Sequence, residues 1–221
     1  MFYFSQSLSI DKSKNKPKIS MSILPKNFQK AKEILSKFPA MGARSAERFL
    51  IYLLNKNKKE LQELSDSLSR LDQIKKCSNC FFLTENQDRI CDICKDKNRK
   101  KDIICILEDS LDLMAIENKN IFQGQYHVLG GTVRIGQKDN SQNLTVQALK
   151  KRIMDNNVQE IIIATNPNSL GDATAVYLKE ELQKLKNLKI TRISKGMPTG
   201  GDLEYADKES LEASIEGRIR F

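Results

Sequence analysis

Ile103-Ile104-Cys105-Ile106-Leu107-Glu108-Asp109, residues 103–109, is a run of five apolar residues closed by two acids. A short run of this kind, rich in β-branched side chains and bounded by charge, reads as a strand buried on both faces. The chain then repeats the theme. A helical stretch near 111–117 leads to a second apolar run, 126–129. A helix near 144–154 leads to 161–164, and a helix near 173–185 leads to 190–193. This alternation predicts an α/β fold, a parallel sheet with helices packed on its faces. Loops then gather at the C-terminal ends of the strands, where sites usually form. Glu108 stands at the first of those ends.

Acids in that position often bind Mg2+. A metal-using enzyme needs further carboxylates on a neighbouring strand end. The third strand runs instead into Thr165-Asn166-Pro167-Asn168-Ser169-Leu170-Gly171-Asp172. Asn166 and Asn168 are neutral where a carboxylate pair is wanted. Asp172 is available, at the start of a helix, where an N-cap is its simplest role. The one histidine, His127, has no acid beside it in sequence and is expected to be structural, at a strand edge. Gly130-Gly131 and Gly200-Gly201 imply turns with positive φ or close backbone approach. Neither pair has the spacing of a nucleotide-binding loop, and the chain has no Walker A Gly-Lys-Ser/Thr, so ATPase chemistry is not expected. Cys105, inside an apolar strand, reads as core.

Upstream of the sheet, Cys77-x-x-Cys80 and Cys91-x-x-Cys94 are separated by ten residues. Each pair makes a knuckle that aims two thiolates at one point, and two knuckles complete a tetrahedron around zinc. Four protein ligands leave no open position, so the expected Zn2+ is structural, one per chain. A segment with so few apolar residues is expected to depend on the metal for folding.

Further upstream the period is helical. Phe28, Ala31, Ile34, Leu35 and Phe38 share one spacing; Ala46, Phe49, Leu50, Leu53 and Leu54 resume it; Leu61, Leu64, Leu68 and Leu71 mark a third helix. The simplest reading of these stripes is core packing. Between the first two helices lies Phe38-Pro39-Ala40-Met41-Gly42-Ala43-Arg44-Ser45-Ala46, the pattern of a helix-hairpin-helix. A tight turn entering a helix leaves backbone N–H groups that hold a phosphate without reading a base. Gly42, Arg44, Ser45 and Arg48 are the candidate contacts, and Arg44 and Arg48 lie one turn apart. The alternative is a purely structural turn.

The 221-residue chain carries a net charge of +9. Residues 1–100 hold 21 Lys+Arg against 11 Asp+Glu, and residues 101–221 hold 16 against 17, so the whole excess sits in the first half. Such a half suits a polyanion, most often nucleic acid, or simply confers solubility. Residues 1–21 read as a disordered basic tail, rich in lysine and without apolar period, and Met21 is a candidate start. No apolar run approaches the roughly 20 residues of a membrane span. The early apolar residues precede Lys12, Lys14, Lys16 and Lys18, the reverse of a secretory signal, so the expected location is cytoplasmic.

The order of hairpin, paired cysteine knuckles and Glu-bearing α/β unit resembles the bacterial RecR family of recombination mediators. The matching stretches are 38–48, 77–94, 104–117, 126–131, 161–178 and 195–207, with Ala164-Thr165-Asn166-Pro167, Gly200-Gly201-Asp202-Leu203-Glu204 and the closing Ile219-Arg220-Phe221 especially similar. The resemblance implies a Toprim-like parallel sheet. In enzymes of that fold a Glu after the first strand and an Asp-x-Asp after the third hold metal; Glu108 matches the first, and Asn166 and Asn168 stand near the second. It implies a non-enzymatic mediator that forms a ring-like homo-oligomer and binds single-stranded and duplex DNA through its hairpin. The family works with RecO and RecF to help load RecA on gapped or single-stranded DNA. The implied division is tail 1–21, helix-hairpin-helix region 22–74, zinc finger 75–100, Toprim-like domain 101–196, and a C-terminal segment 197–221 in oligomer contacts. Glu108 and Asp172 form the implied acidic partner surface, with Mg2+ at Glu108 at most weakly held.

Three departures stand out. The family hairpin usually reads Leu-Pro-Gly-x-Gly, whereas here Ala40 replaces the first Gly and Ala43 the common Pro. The run 132–143 keeps only Ile135-Gly136 of a longer family loop, and Leu170 stands where Glu is usual. The competing readings are a catalytic Toprim enzyme, primase- or nuclease-like and using Mg2+, and a zinc-ribbon protein of transcription or translation. The absent Asp-x-Asp counts against the former and the α/β half against the latter.

Overall fold

The computed structural model describes residues 23–133, 144–194, 196–197 and 200–217. The basic tail with Met21, the family-loop residues from 134 to 143, and Ile219-Arg220-Phe221 lie outside the described residues. The chain divides into two compact units, one through Ser69 and one from Arg70 onward.

In the first unit, helix α1 (Lys26–Leu35) turns back into α2 (Ala43–Leu54), and α3 (Lys58–Ser69) follows. Between α1 and α2 the Met41 N–H donates to the Phe38 carbonyl at 3.2 Å, and Ala40 adopts a φ of 60°. Lys32 and Glu47 pair across the two helices at 2.5 Å. A capping box opens α3: Asn57 Oδ1 accepts from the Glu60 N–H, and Glu60 Oε2 accepts from the Asn57 N–H.

The apolar stripes of these helices depart from the core reading. Among the described residues of this unit only Ala46 is buried. Phe38, Ile51, Tyr52, Leu54 and Leu68 are each more than half exposed. The physical reason is the missing second layer: a hairpin and one further helix give each stripe too few partners to cover it.

The second unit begins with a 3-10 turn at Arg70–Gln73. Strands β1 (Lys75–Lys76) and β2 (Leu83–Thr84) pair antiparallel, and the short helix α4 (Asp92–Lys95) follows. Then β3 (Ile103–Leu107), α5 (Ser110–Glu117), β4 (Gln125–Val128), α6 (Val146–Asp155), β5 (Glu160–Ile163), α7 (Ser169–Leu182) and β6 (Lys189–Arg192) alternate as the pattern predicts. The four strands from β3 to β6 form one parallel sheet in the order β4-β3-β5-β6.

The period of two sorts the side chains. Ile104, Ile106, Ile161 and Ile163 face one way, onto Leu149 and Ile153 of α6 and Leu178 and Leu182 of α7. Cys105, Leu107, Tyr126 and Val128 face the other, onto Leu113 of α5 and onto Phe81, Phe82 and Ile93 of the cysteine-rich segment. Covering on both faces explains why these strands read as unbroken apolar runs. After the sheet, a 3-10 turn (Leu203–Tyr205) precedes α8 (Lys208–Glu216), which Asp207 caps by accepting from the Ser210 N–H at 2.8 Å. Among the described residues no helix is long and apolar enough to cross a membrane.

Candidate functional site

The sulfurs of Cys77, Cys80, Cys91 and Cys94 converge, all within 4.8 Å of one another. Cys80 and Cys91 are 3.4 Å apart and Cys77 and Cys94 4.0 Å. Tetrahedral metal–thiolate bonds of about 2.3 Å place ligand sulfurs about 3.8 Å apart, so the set fits a tetrahedral ion. The first knuckle is closed by the Phe81 N–H donating to the Cys77 carbonyl, with Phe81 at a φ of 63°. Cys91 and Cys94 bracket the start of α4. Two donors support the thiolates: the Cys91 N–H on Cys77 Sγ at 3.3 Å and Asn79 Nδ2 on Cys94 Sγ at 3.4 Å. Thiols this close cannot all ionise alone. Hydrogen bonding from Cys80 holds Cys77 far below the ordinary thiol range, while the same contact drives Cys80 far above it. Cys105 stands apart in the sheet, its thiol pushed up to about 12 by burial.

The segment is joined to the sheet. The Val128 N–H of edge strand β4 donates to the Cys80 carbonyl at 2.8 Å, and Phe81 meets the His127 ring edge-on at 5.3 Å. His127 lies on that edge strand, as expected of a structural residue, and is fully buried, with Nε2 2.8 Å from Thr145 Oγ1.

At the strand ends, Glu108 is buried just after β3. Its Oε1 accepts from the Asn166 backbone N–H and its Oε2 from Asn166 Nδ2, both at 2.8 Å. The same Nδ2 lies 3.4 Å from Asp112 Oδ1, so nitrogen rather than oxygen must face the two acids. Burial raises the Asp112 carboxyl above its ordinary range, with the Asp109 and Glu108 charges adding to the effect. Gly130 and Gly131, at φ of 90° and 149°, wrap the Glu108 carbonyl, which accepts from both their N–H groups. A Cβ on Gly171 would lie 2.0 Å from the Asn166 carbonyl and 2.7 Å from Glu108 Oε1, so only glycine lets α7 approach. Every partner of the buried carboxylate is thus a neutral N–H. N–H groups occupy both carboxylate oxygens, and among the described residues only the four cysteines gather three or more ionisable metal ligands, so this end of the sheet lacks the set of carboxylates that a firmly held Mg2+ needs.

Neither remaining acid joins Glu108. Asp109 is the N-cap of α5, in a reciprocal capping box with Asp112. Asp172 is not the N-cap of α7, contrary to the simplest reading. Asn168 fills that role, accepting from the Gly171 N–H, and Asp172 in the first turn pairs with Arg192 at 2.5 Å. The reason is reach: a cap must precede the helix, and Asp172 lies within it. Asp172 and Arg192 line a separate cleft of about 580 Å³ with Thr165, Pro167, Asn168 and Asp207. Sequence reading missed Asp112, Gly171 and Arg192. The Asp109-x-x-Asp112 spacing was the available signal for the first, and nothing local marked the other two.

In the hairpin, Gly42 is the N-cap of α2 and offers no side-chain cap. The Ala46 N–H bonds the Gly42 carbonyl at 3.0 Å, which leaves the amides of residues 43–45 at the open end of the helix. Arg44, Ser45 and Arg48 are all exposed. A Cβ on Gly42 would meet nothing within 4 Å and its φ is −74°, so neither space nor backbone conformation within the chain requires glycine there.

Residues 102–194 match the family model described as Toprim domain, and residues 196–219 match that described as RecR, C-terminal. The chain is 41% identical over 199 residues to the recombination protein RecR of Clostridium perfringens, covering 90% of this chain and 98% of that protein. It is 38% identical over 185 residues to the RecR of Paenarthrobacter aurescens, covering 83% and 92%. Against the RecR of Dehalococcoides mccartyi it is 37% identical over 188 residues, covering 85% and 91%.

Proposed function

Because the chain belongs to the RecR family of recombination proteins, we propose that it acts as a non-enzymatic, DNA-binding mediator of recombinational repair. The observation that carries this reading is the Glu108 carboxylate, held on both oxygens by Asn166. A Toprim enzyme presents carboxylates to Mg2+ at that place; here an amide presents hydrogens. Glu108 so engaged, with only Asp112 facing the same amide, falls short of the carboxylates that a two-metal site needs.

DNA contact falls to the hairpin, where the amides at the start of α2 with Gly42, Arg44, Ser45 and Arg48 hold backbone phosphates. Such contacts are blind to sequence and suit single-stranded and duplex DNA alike. The four cysteines hold one structural Zn2+, which when bound fixes the two knuckles as a single unit. The uncovered apolar side chains of the first unit favour a homo-oligomer, and a ring would repeat the hairpin around DNA. The C-terminal end of the sheet, where Asp172 lines its cleft and the buried Glu108 braces Asn166 from beneath rather than presenting charge, serves as a partner surface, for RecO and RecF, in helping RecA onto single-stranded or gapped DNA. Five cysteines without a disulfide suit a reducing cytoplasm.

The test is chemical. Highly purified protein with Mg2+ is incubated with single-stranded, gapped and primed DNA. The expected outcome is stable complexes with no cleavage and no primer synthesis. Metal-dependent turnover abolished by Glu108→Ala would overturn the reading.

A further inference from the structure

Cys77, Cys80 and Cys91 are 0%, 0% and 3% exposed; Cys91 borders a cleft of about 420 Å³ whose lining carries the acids Glu85 and Asp92, which repel an anion. Cys94 is only partly buried. It opens on a cavity of about 130 Å³ near the N-terminal ends of β3 and β4, shared with Asn79, Lys101, Gln125, Arg152 and Asn156. The lining contains no acid. Asn79 Nδ2 donates to the Cys94 sulfur. Arg152 is buried, donates to the Tyr126 carbonyl and Gln125 Oε1, and has no carboxylate partner among the described residues. Lys101 is exposed at the rim. A buried guanidinium without a counter-ion is costly unless negative charge lies near. A metal bound by four thiolates is a net anion, and Lys101 and Arg152 are the cations that share a cavity with its most exposed ligand.

We propose that Cys94 is a modification site, the port through which a small anionic disulfide reaches the metal centre. The cationic, acid-free lining draws a reagent bearing carboxylates into the cavity. The Cys94 sulfur then attacks one sulfur of the reagent. A new S–S bond forms to Cys94, the reagent's own S–S bond breaks, and its other half leaves as a thiolate with the electron pair. Cys94 ends as a mixed disulfide, the reagent has been reduced, and no other redox partner is required. With one of its four ligands gone, the centre releases its metal. Cys105, buried in the sheet with a raised pKa, stays unmodified.

This inference rests on the zinc reading, and the test separates the two. Full-length protein is first assayed for zinc; a folded protein without zinc overturns the zinc reading and the port with it. Zinc-loaded protein is then treated with the dianionic disulfide 5,5′-dithiobis(2-nitrobenzoate) or the neutral 4,4′-dithiodipyridine. Zinc release is followed with a colorimetric chelator, and the modified cysteine is mapped by mass spectrometry before one equivalent has reacted. The expected first adduct is on Cys94, with zinc loss keeping pace. Lys101→Gln, at an exposed position that leaves the fold intact, is expected to slow the anionic reagent roughly threefold relative to the neutral one, the effect of one charge across a few ångströms of water. A first adduct on Cys77, Cys80 or Cys91, or an anionic-to-neutral rate ratio unchanged by Lys101→Gln, would overturn the port while leaving the zinc reading in place.

Discussion

Ala40 carries a Cβ at a φ of 60°, where an L side chain crowds the neighbouring carbonyl. Glycine relieves that crowding and pays little for it at a position already in a turn. Ala40→Gly is therefore expected to stabilise the protein by about 1 kcal/mol, read as a higher urea midpoint with an unchanged slope. A midpoint that stays or falls would show that the hairpin turn is not strained there. His127 makes the opposite point about burial. Loss of solvation, and then the Arg152 charge, push its pKa down to about 3. The unfolded chain takes up that proton near the ordinary 6.5, so the unfolded state binds more protons between the two values. Stability attributable to this residue is thus complete above pH 6.5 and lost as the pH falls. From pH 7.5 to pH 5 the parent is expected to lose about 2 kcal/mol more than a His127→Gln variant. Equal losses in urea titrations at the two pH values would mean that His127 is solvated. Neither effect was legible in the sequence beforehand. Ala40 was visible as a departure from the family hairpin, but its φ was not. His127 read as structural, but its burial depends on Phe81 and Thr145, which come from other parts of the chain.

At the level of elements, legibility followed the range of the interactions. The alternation after Lys101 was readable because each strand is a short apolar run and each helix a local period. The cysteine knuckles were readable because four thiols that can share one metal ion keep a fixed local spacing. The bracket on Glu108 was not, because Asn166 lies 58 residues away and only the parallel sheet brings the two together. The helical stripes misled for a related reason: period shows which face is apolar, and not whether anything covers it. The cysteine-rich segment shows how local and long-range order combine. Its knuckles are local, yet Cys80 supplies a carbonyl to Val128 on the edge strand, and Phe81, Phe82 and Ile93 pack on the sheet. Removing the metal with a chelator is expected to loosen that edge before the face covered by α6 and α7. Hydrogen exchange at the Val128 amide should accelerate about tenfold or more, while the amides of β5 stay protected. Unchanged protection at Val128 in metal-free protein would show that the knuckles hold the edge unaided.

For the whole molecule, the basic first half and the uncovered apolar side chains of its helices belong to one argument. On the proposed DNA contact, a single hairpin would offer few phosphate contacts, and one subunit would bind weakly. Several hairpins in the proposed oligomer would act together through effective concentration. The Arg44 and Arg48 side chains are exposed, so replacing both removes charge without disturbing the packing around Ala46. The most direct test is a salt titration of binding to single-stranded DNA by the parent and by the Arg44→Ala, Arg48→Ala double variant, with mass in solution and zinc content measured on the same samples. The account predicts unchanged mass and zinc, steeply weaker binding, and a log–log salt slope reduced by roughly one unit for each phosphate-binding cation removed. A double variant that binds like the parent across the titration would contradict it, leaving the hairpin a structural turn.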